Sequence, residues 1–221
     1  AVMAATSLFG SYFEELKLAG ATVSVINVAN PLVLVGLIVG GSVPFLFTSL
    51  TVRAVGRAAS LVINEVRRQF RTIKGLMEGT AEPEYAKAVD ICTAAALKEL
   101  VGPGLLAVLA PVVVGFLLDA EALGGFLAGI ILTGQLLAVF LANAGGAWDN
   151  AKKSIEDGLY GGKGSACHKC GVVGDTVGDP FKDTAGPAIN PLIKVMNLVA
   201  LIVAPLIIKY RDLWYVTVPV V

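Results

Sequence analysis

Gly174-Asp175-Thr176-Val177-Gly178-Asp179-Pro180-Phe181-Lys182-Asp183-Thr184 places four charges within nine residues. Past Gly186 and Pro187 the chain turns apolar and stays so to about residue 208. That is long enough for the ~20 residues a bilayer helix requires. Three carboxylates and a lysine at the mouth of such a helix call for something to hold. Mg²⁺ fits, because it takes oxygen ligands and shares them with substrate phosphates. Lysine is a compact, strongly hydrated charge suited to the phosphate itself.

The same design occurs once more upstream. Asp149 and Lys152 are three apart, with Lys153 and Glu156 continuing the face. In the quoted stretch Asp179, Lys182 and Asp183 stand at i, i+3 and i+4. Both spacings gather charge on one side of a helix. A carboxylate left over from metal binding can orient or deprotonate a water for in-line attack. The alternative is a set of solvated ion pairs at helix ends, which contribute little.

Inside the last apolar run, Lys194 lies 12 residues beyond Lys182, about 18 Å deeper at 1.5 Å per residue. Asp183, Asn190, Lys194 and Asn197 follow intervals of 7, 4 and 3, the pattern of one helical stripe. An intramembrane lysine marks an ion path or a paired site, or a polar contact between helices.

The rest of the 221 residues builds the wall around these charges. The chain is 56% hydrophobic, above the 45–50% of soluble domains, with a mean hydropathy of +0.77. A formal net charge of +0 gives no basic field for nucleic acid. The opening Ala1-Val2-Met3-Ala4-Ala5 has no basic region of a signal peptide and reads as the interior of an apolar helix, so a chain cut inside a span is expected. Spans are expected at about residues 1–13, 31–52, 103–118, 123–147 and 186–208, with polar stretches at 53–102 and 149–185. Pro31 suits a helix start. Gly36, Gly40 and Gly41 form a small-residue pattern for close helix packing. Asp119-Ala120-Glu121 is a tight hinge that makes its flanking spans antiparallel neighbours. The polar stretches carry thirteen Lys and Arg, against Lys17, Lys209 and Arg211 on the other side. That asymmetry predicts a cytosolic address for the carboxylates.

Other motifs read more plainly. Arg53 to Phe70 keeps helical periodicity, with Val55, Ala59, Val62, Ile63, Val66 and Phe70 as the apolar stripe. Glu65-Val66-Arg67-Arg68-Gln69-Phe70 is expected as a solvated helix face, with phosphate contact or lid duty as the sharper alternative. Residues 154–174 read as a polar, glycine-rich loop. Within them Cys167-His168-Lys169-Cys170 could be half a zinc site or a redox pair. No second pair completes a zinc shell, so free thiols and a loop histidine are expected. Gly145-Gly146 and Gly161-Gly162 with Gly164 do not match a phosphate-binding P-loop.

Gly145-Gly146-Ala147-Trp148-Asp149-Asn150-Ala151-Lys152-Lys153 and the stretch from Gly174 to Pro187 closely resemble the C-terminal motifs of membrane-embedded, ion-pumping inorganic pyrophosphatases. Glu65 to Phe70 and Gly75-Leu76-Met77-Glu78-Gly79-Thr80 are similar to that family as well. The resemblance implies an all-α, polytopic membrane bundle of which this chain is the last five or so helices. It implies Mg²⁺-dependent hydrolysis of pyrophosphate at the cytosolic face, coupled to export of H⁺ or Na⁺ by a homodimer, with K⁺ dependence a variable trait. By the same resemblance Asp149, Asp175, Asp179 and Asp183 match metal-site carboxylates, and Lys152 and Lys182 match pyrophosphate-binding lysines. Asp183 also matches an aspartate positioning the attacking water, and Lys194, with Asn190 beside it on the stripe, lies near the ion gate. The family's other Asp-rich metal and substrate helix, its second water-activating aspartate and the partners of its gate are absent from this sequence. The chain alone is therefore expected to be inactive. A non-hydrolytic ion transporter or channel with a divalent-ion-gated cytosolic mouth is the competing reading.

Overall fold

The computed structural model describes residues 1–21 and 25–215, and the side chains of residues up to 210. The side chain of Arg211, counted above for the charge asymmetry, lies outside what is described, as do residues 22–24 and 216–221. The described residues are helical, without a strand. In chain order they are α1 (Val2–Leu18), α2 (Pro31–Thr72), α3 (Tyr85–Leu117), α4 (Ala120–Glu156) and α5 (Ala166–Asp179). A π-helical turn (Pro180–Ala185) then leads directly into α6 (Gly186–Tyr215).

Among the described residues four helices are long and apolar enough to cross a membrane: Pro31–Thr72, Tyr85–Leu117, Ala120–Glu156, and the continuous run Ala166–Tyr210. They outrun the apolar stretches. The 42 residues of α2 reach about 63 Å, twice the ~30 Å hydrocarbon core. α1, with 17 residues, reaches about 25 Å.

Local chemistry sets the boundaries. Asn30 caps α2, its side chain accepting from the Leu32 N–H at 3.0 Å, and Pro31 takes the first position, where no N–H is needed. Asp119 caps α4 by accepting from the Ala122 N–H at 2.7 Å. The connection between α3 and α4 is Leu118 and Asp119, and Ala120 and Glu121 of the expected hinge are the first two residues of α4. Tyr12 Oη donates to the Ala120 carbonyl at 2.7 Å, and so α1 is fastened to that same hinge.

The core lies where α2, α4 and α6 meet, with Phe126, Leu127, Ile130, Ile189, Ile193 and Met196 fully buried. Glycines let α2 and α4 touch backbone to backbone. A Cβ on Gly36 would sit 2.1 Å from the Ala122 carbonyl oxygen, and one on Gly40 would sit 2.0 Å from that of Phe126. From the other side, Cβ atoms on Gly125 and Gly129 would lie 2.4 and 2.2 Å from the carbonyls of Val33 and Leu37. Thr133 Oγ1 donates across the seam to the Gly41 carbonyl at 2.9 Å. The glycine pattern read from α2 is half of a two-sided interlock.

Two expectations are corrected. Residues 154–174 are not one loop: α4 runs to Glu156 and α5 begins at Ala166, capped by Ser165 accepting from the His168 N–H at 3.1 Å. Positive φ at Gly158, Gly161, Gly162 and Gly164 makes the short reversal that lays α5 back on α4. Second, the distal half of α2 is not a uniformly solvated face. Glu65 and Gln69 are buried, while Ile63, Val66 and Phe70 of the apolar stripe are exposed. The Gln69 side chain accepts from the Glu84 N–H at 2.9 Å and donates to the Glu84 carbonyl at 3.2 Å. It closes the α2–α3 corner as a backbone would.

Candidate functional site

The charged side chains come from the end of α4, from α5 and from the π turn. These three pieces converge because small residues allow it. Trp148 of α4 lies along α5, where Cβ atoms on Gly174 and Gly178 would meet its ring at 3.5 and 2.9 Å. Its ring also packs against Phe181, with centroids 6.2 Å apart. Neither Trp148 nor these glycines stood out as site residues in the sequence. The Gly-x-x-x-Gly step from 174 to 178 was the available signal.

Within that frame lysines and carboxylates alternate. Lys182 Nζ is 2.8 Å from Asp149 Oδ2, 3.2 Å from Asp179 Oδ1 and 3.7 Å from Asp183 Oδ2. Lys152 donates across the helix pair to Asp175 Oδ2 and lies 3.7 Å from Asp149 Oδ1. Lys153 adds a third contact to Asp149 at 3.0 Å. The six residues Asp149, Lys152, Asp175, Asp179, Lys182 and Asp183 therefore form one constellation. They lie beyond the apolar stretches of their helices.

Burial grades the cluster. Asp149 and Asp175 side chains are only 15% and 10% exposed, against 49% for Asp179 and 63% for Asp183. The Lys182 hydrogen bond, then that of Lys153, holds the Asp149 carboxyl down at about 2, well below its ordinary 3.8. The reciprocal bond from Asp149 raises the Lys182 ammonium, and the Asp175 bond raises that of Lys152. Asp149, Lys152 and Lys182 are thus charged at neutral pH. Asp175 Oδ1 is buried with no hydrogen-bond partner, a costly state for a carboxylate oxygen.

Below the cluster the expected stripe divides. Asn190 is half-buried and Lys194 is exposed, while Asn197 is fully buried and donates to the Ile193 carbonyl at 2.8 Å. A helical turn of 100° per residue puts Asn197 about 60° around α6 from Lys194, enough to carry it into the core. His168 is not a loop residue. It sits in the first turn of α5, accepts at Nδ1 from the Gly164 N–H at 3.2 Å, and through Nε2 meets Glu156 Oε1 at 2.9 Å. With Nδ1 accepting, Nε2 carries the proton and donates. Cys92, Cys167 and Cys170 are free and exposed.

Among the described residues no three His, Cys, Asp or Glu side chains converge on a point that could hold a metal ion. Mg²⁺ does not demand such a cage, since it is held by one or two carboxylates plus substrate phosphates. An all-oxygen donor set with one orphaned, buried carboxylate oxygen fits that kind of binding.

The family model for inorganic H⁺ pyrophosphatase matches residues 1–203. The chain belongs to that family. It is 62% identical to the K⁺-insensitive pyrophosphate-energized proton pump of Chloroflexus aurantiacus, over 94% of this chain and 28% of that protein. It is 56% identical to the corresponding proton pump of Methanosarcina mazei, over 93% of this chain and 30% of that one. It is 55% identical to a putative K⁺-stimulated pyrophosphate-energized sodium pump of Clostridium tetani, over 95% and 30%. The chain thus spans less than a third of the length of these curated relatives. Membership in this H⁺ pyrophosphatase family, together with four membrane-length helices, makes the chain part of an integral membrane protein.

Proposed function

We propose that this chain is the C-terminal part of a pump that hydrolyses pyrophosphate to two phosphates and moves H⁺ or Na⁺ across the membrane. The observation that carries the reading is the crossed pairing of Lys182 with Asp149 and Lys152 with Asp175. It sets two ammonium groups, from α4 and the π turn, among four carboxylates at one mouth of the bundle. Likeness to pumps energised by pyrophosphate supports the substrate.

In this reading Lys152 and Lys182 exchange their carboxylate partners for pyrophosphate oxygens as substrate enters. The carboxylates so released, Asp149, Asp175 and Asp179 with Asp183 at the rim, would hold Mg²⁺. The ion supplies charge neutralisation on the phosphates. Asp183, the most exposed carboxylate of the set and 3.7 Å from Lys182, accepts the proton of the attacking water as general base. Water adds to one phosphorus, the bridging oxygen leaves with the other, and two phosphates result. Lys194 and Asn190 on α6 line the start of the ion path. The excess of basic residues in 53–102 and 149–185 supports a cytosolic address for this mouth. α1 belongs to a fifth span, and the full-length subunits pair as a homodimer. The remaining carboxylates of the site come from the part of the protein that the relatives have beyond this stretch.

The test uses full-length protein in sealed vesicles. Mg²⁺-dependent release of phosphate from pyrophosphate, with a pH or Na⁺ gradient that collapses when pyrophosphate is exhausted, is expected. Folded protein that conducts ions but releases no phosphate would instead make this mouth a divalent-gated channel.

A further inference from the structure

We propose that Gly145 is a positioning residue that sets Lys182 at its distance from Asp149. The inference rests on the reading of Lys182 as a pyrophosphate-binding group.

Gly145 and Asp149 are four apart on α4 and so share a face. A Cβ built on Gly145 would fall 2.5 Å from the Gly178 carbonyl oxygen, 2.8 Å from Lys182 Cβ and 2.9 Å from Lys182 N. Two of those three atoms belong to Lys182, and two are backbone. The obstruction therefore cannot be relieved by swinging a side chain. The π turn cannot retreat freely either. It is closed by the Gly186 N–H donating to the Phe181 carbonyl. Its far end rests on α4, where a Cβ on Gly186 would be 3.4 Å from both the Ala138 carbonyl oxygen and the Ala142 nitrogen. At its near end Gly178 is wedged against Trp148 and Gly145.

A π turn widens the helix by one residue and re-aims the side chains within it. Here it brings the Lys182 backbone against α4 one helical turn before Asp149, and the Lys182 side chain spans that turn to reach the carboxylate at 2.8 Å. A methyl group at 145 has to lift the Lys182 backbone from α4 by several tenths of an ångström while Asp149 stays where it is. A 1 Å misplacement of a positioned group costs up to ~100-fold, so several tenths of an ångström correspond to about tenfold. Gly174 provides the contrast. It lies in the same α4–α5 seam, but its Cβ would meet Trp148 at an ordinary 3.5 Å.

The experiment measures binding of methylenediphosphonate, a non-hydrolysable pyrophosphate analogue, with Mg²⁺ to full-length protein in detergent. Gly145→Ala is expected to weaken binding about tenfold, and Gly174→Ala by less than about twofold. Combined with Lys182→Ala, the Gly145→Ala effect should vanish, since coupled residues are not additive. Unchanged binding in Gly145→Ala, or a full tenfold loss persisting in the Lys182→Ala background, overturns the inference. If Gly145→Ala does not accumulate, Gly178→Ala, whose Cβ would lie 3.1 Å from Gly145 Cα and 2.9 Å from the Trp148 ring, parts α4 from the start of the π turn and carries the same expectation. Wild-type binding by Lys182→Ala would instead refute the substrate reading of Lys182 and this inference with it.

Discussion

Lys182 on the π turn and Asp149 on α4 are joined at 2.8 Å although 33 residues separate them in sequence. The pair ties together the two segments whose motifs look alike, and its chemistry fixes how the site responds to acid. Asp149 has its carboxyl depressed from 3.8 to about 2 by that bond. A depressed carboxylate stabilises the folded state fully above its ordinary value and loses that contribution as pH falls through the folded one. The α4–π-turn contact should therefore be insensitive to pH from neutrality to about 4 and loosen between about 3.8 and 2. Trp148 fluorescence, isolated by subtracting a Trp148→Phe variant, reports it, because the ring packs against Phe181. A transition centred near pH 6 would contradict the assignment.

Asp183→Asn should lower phosphate release at least ~100-fold, the usual contribution of a positioned general base. The side chain is 63% exposed and its nearest cation is 3.7 Å away, so the amide should leave assembly and thermal stability nearly unchanged. Loss of the folded protein in place of loss of turnover would make Asp183 a structural residue.

Lys194→Ala should damage ion transport more than methylenediphosphonate binding. The residue lies about 18 Å along the helix from Lys182, too far for direct contact with the substrate. Comparing gradient formation with phosphate release in vesicles separates the two. If only substrate affinity fell, the placement of Lys194 on the ion path would be wrong.

Gly40→Ala should destabilise the full-length protein by about 1–3 kcal/mol, the cost of overpacking. Its methyl would sit 2.0 Å from the Phe126 carbonyl oxygen, which cannot move without α4. Gly41→Ala should cost much less, since its nearest neighbour is the Thr133 side chain at 3.3 Å. Thermal denaturation in detergent ranks the two variants.

The sequence made the apolar runs, the hinge at Asp119 and the paired charge motifs legible, because each is a local pattern. Asp149 and Asp175 could be named as candidates from the charged motifs that hold them. That Lys152 would bond Asp175 rather than continue its own helix face depends on how α5 folds back on α4, which no spacing encodes. The Ser154-to-Gly174 reading failed because four glycines that shape a short reversal resemble a long loop. Glu65 and Gln69 were read as solvated because charge on a long helix usually is. Their burial comes from α3 packing over them, with Arg68 holding Glu65 down at about 2 from an ordinary 4.5. The division between Lys194 and Asn197 depends on which side of α6 meets its neighbours, again a tertiary fact.

The seam between α2 and α4 limits what can move. Its glycines engage carbonyls on the opposing helix at two levels from each side, like the teeth of a rack. Sliding one helix along the other would drive those teeth into backbone, and closely packed interiors deform by discrete steps rather than continuously. The two helices therefore keep one register relative to each other, and any change of shape in this bundle has to treat them as a single rigid unit.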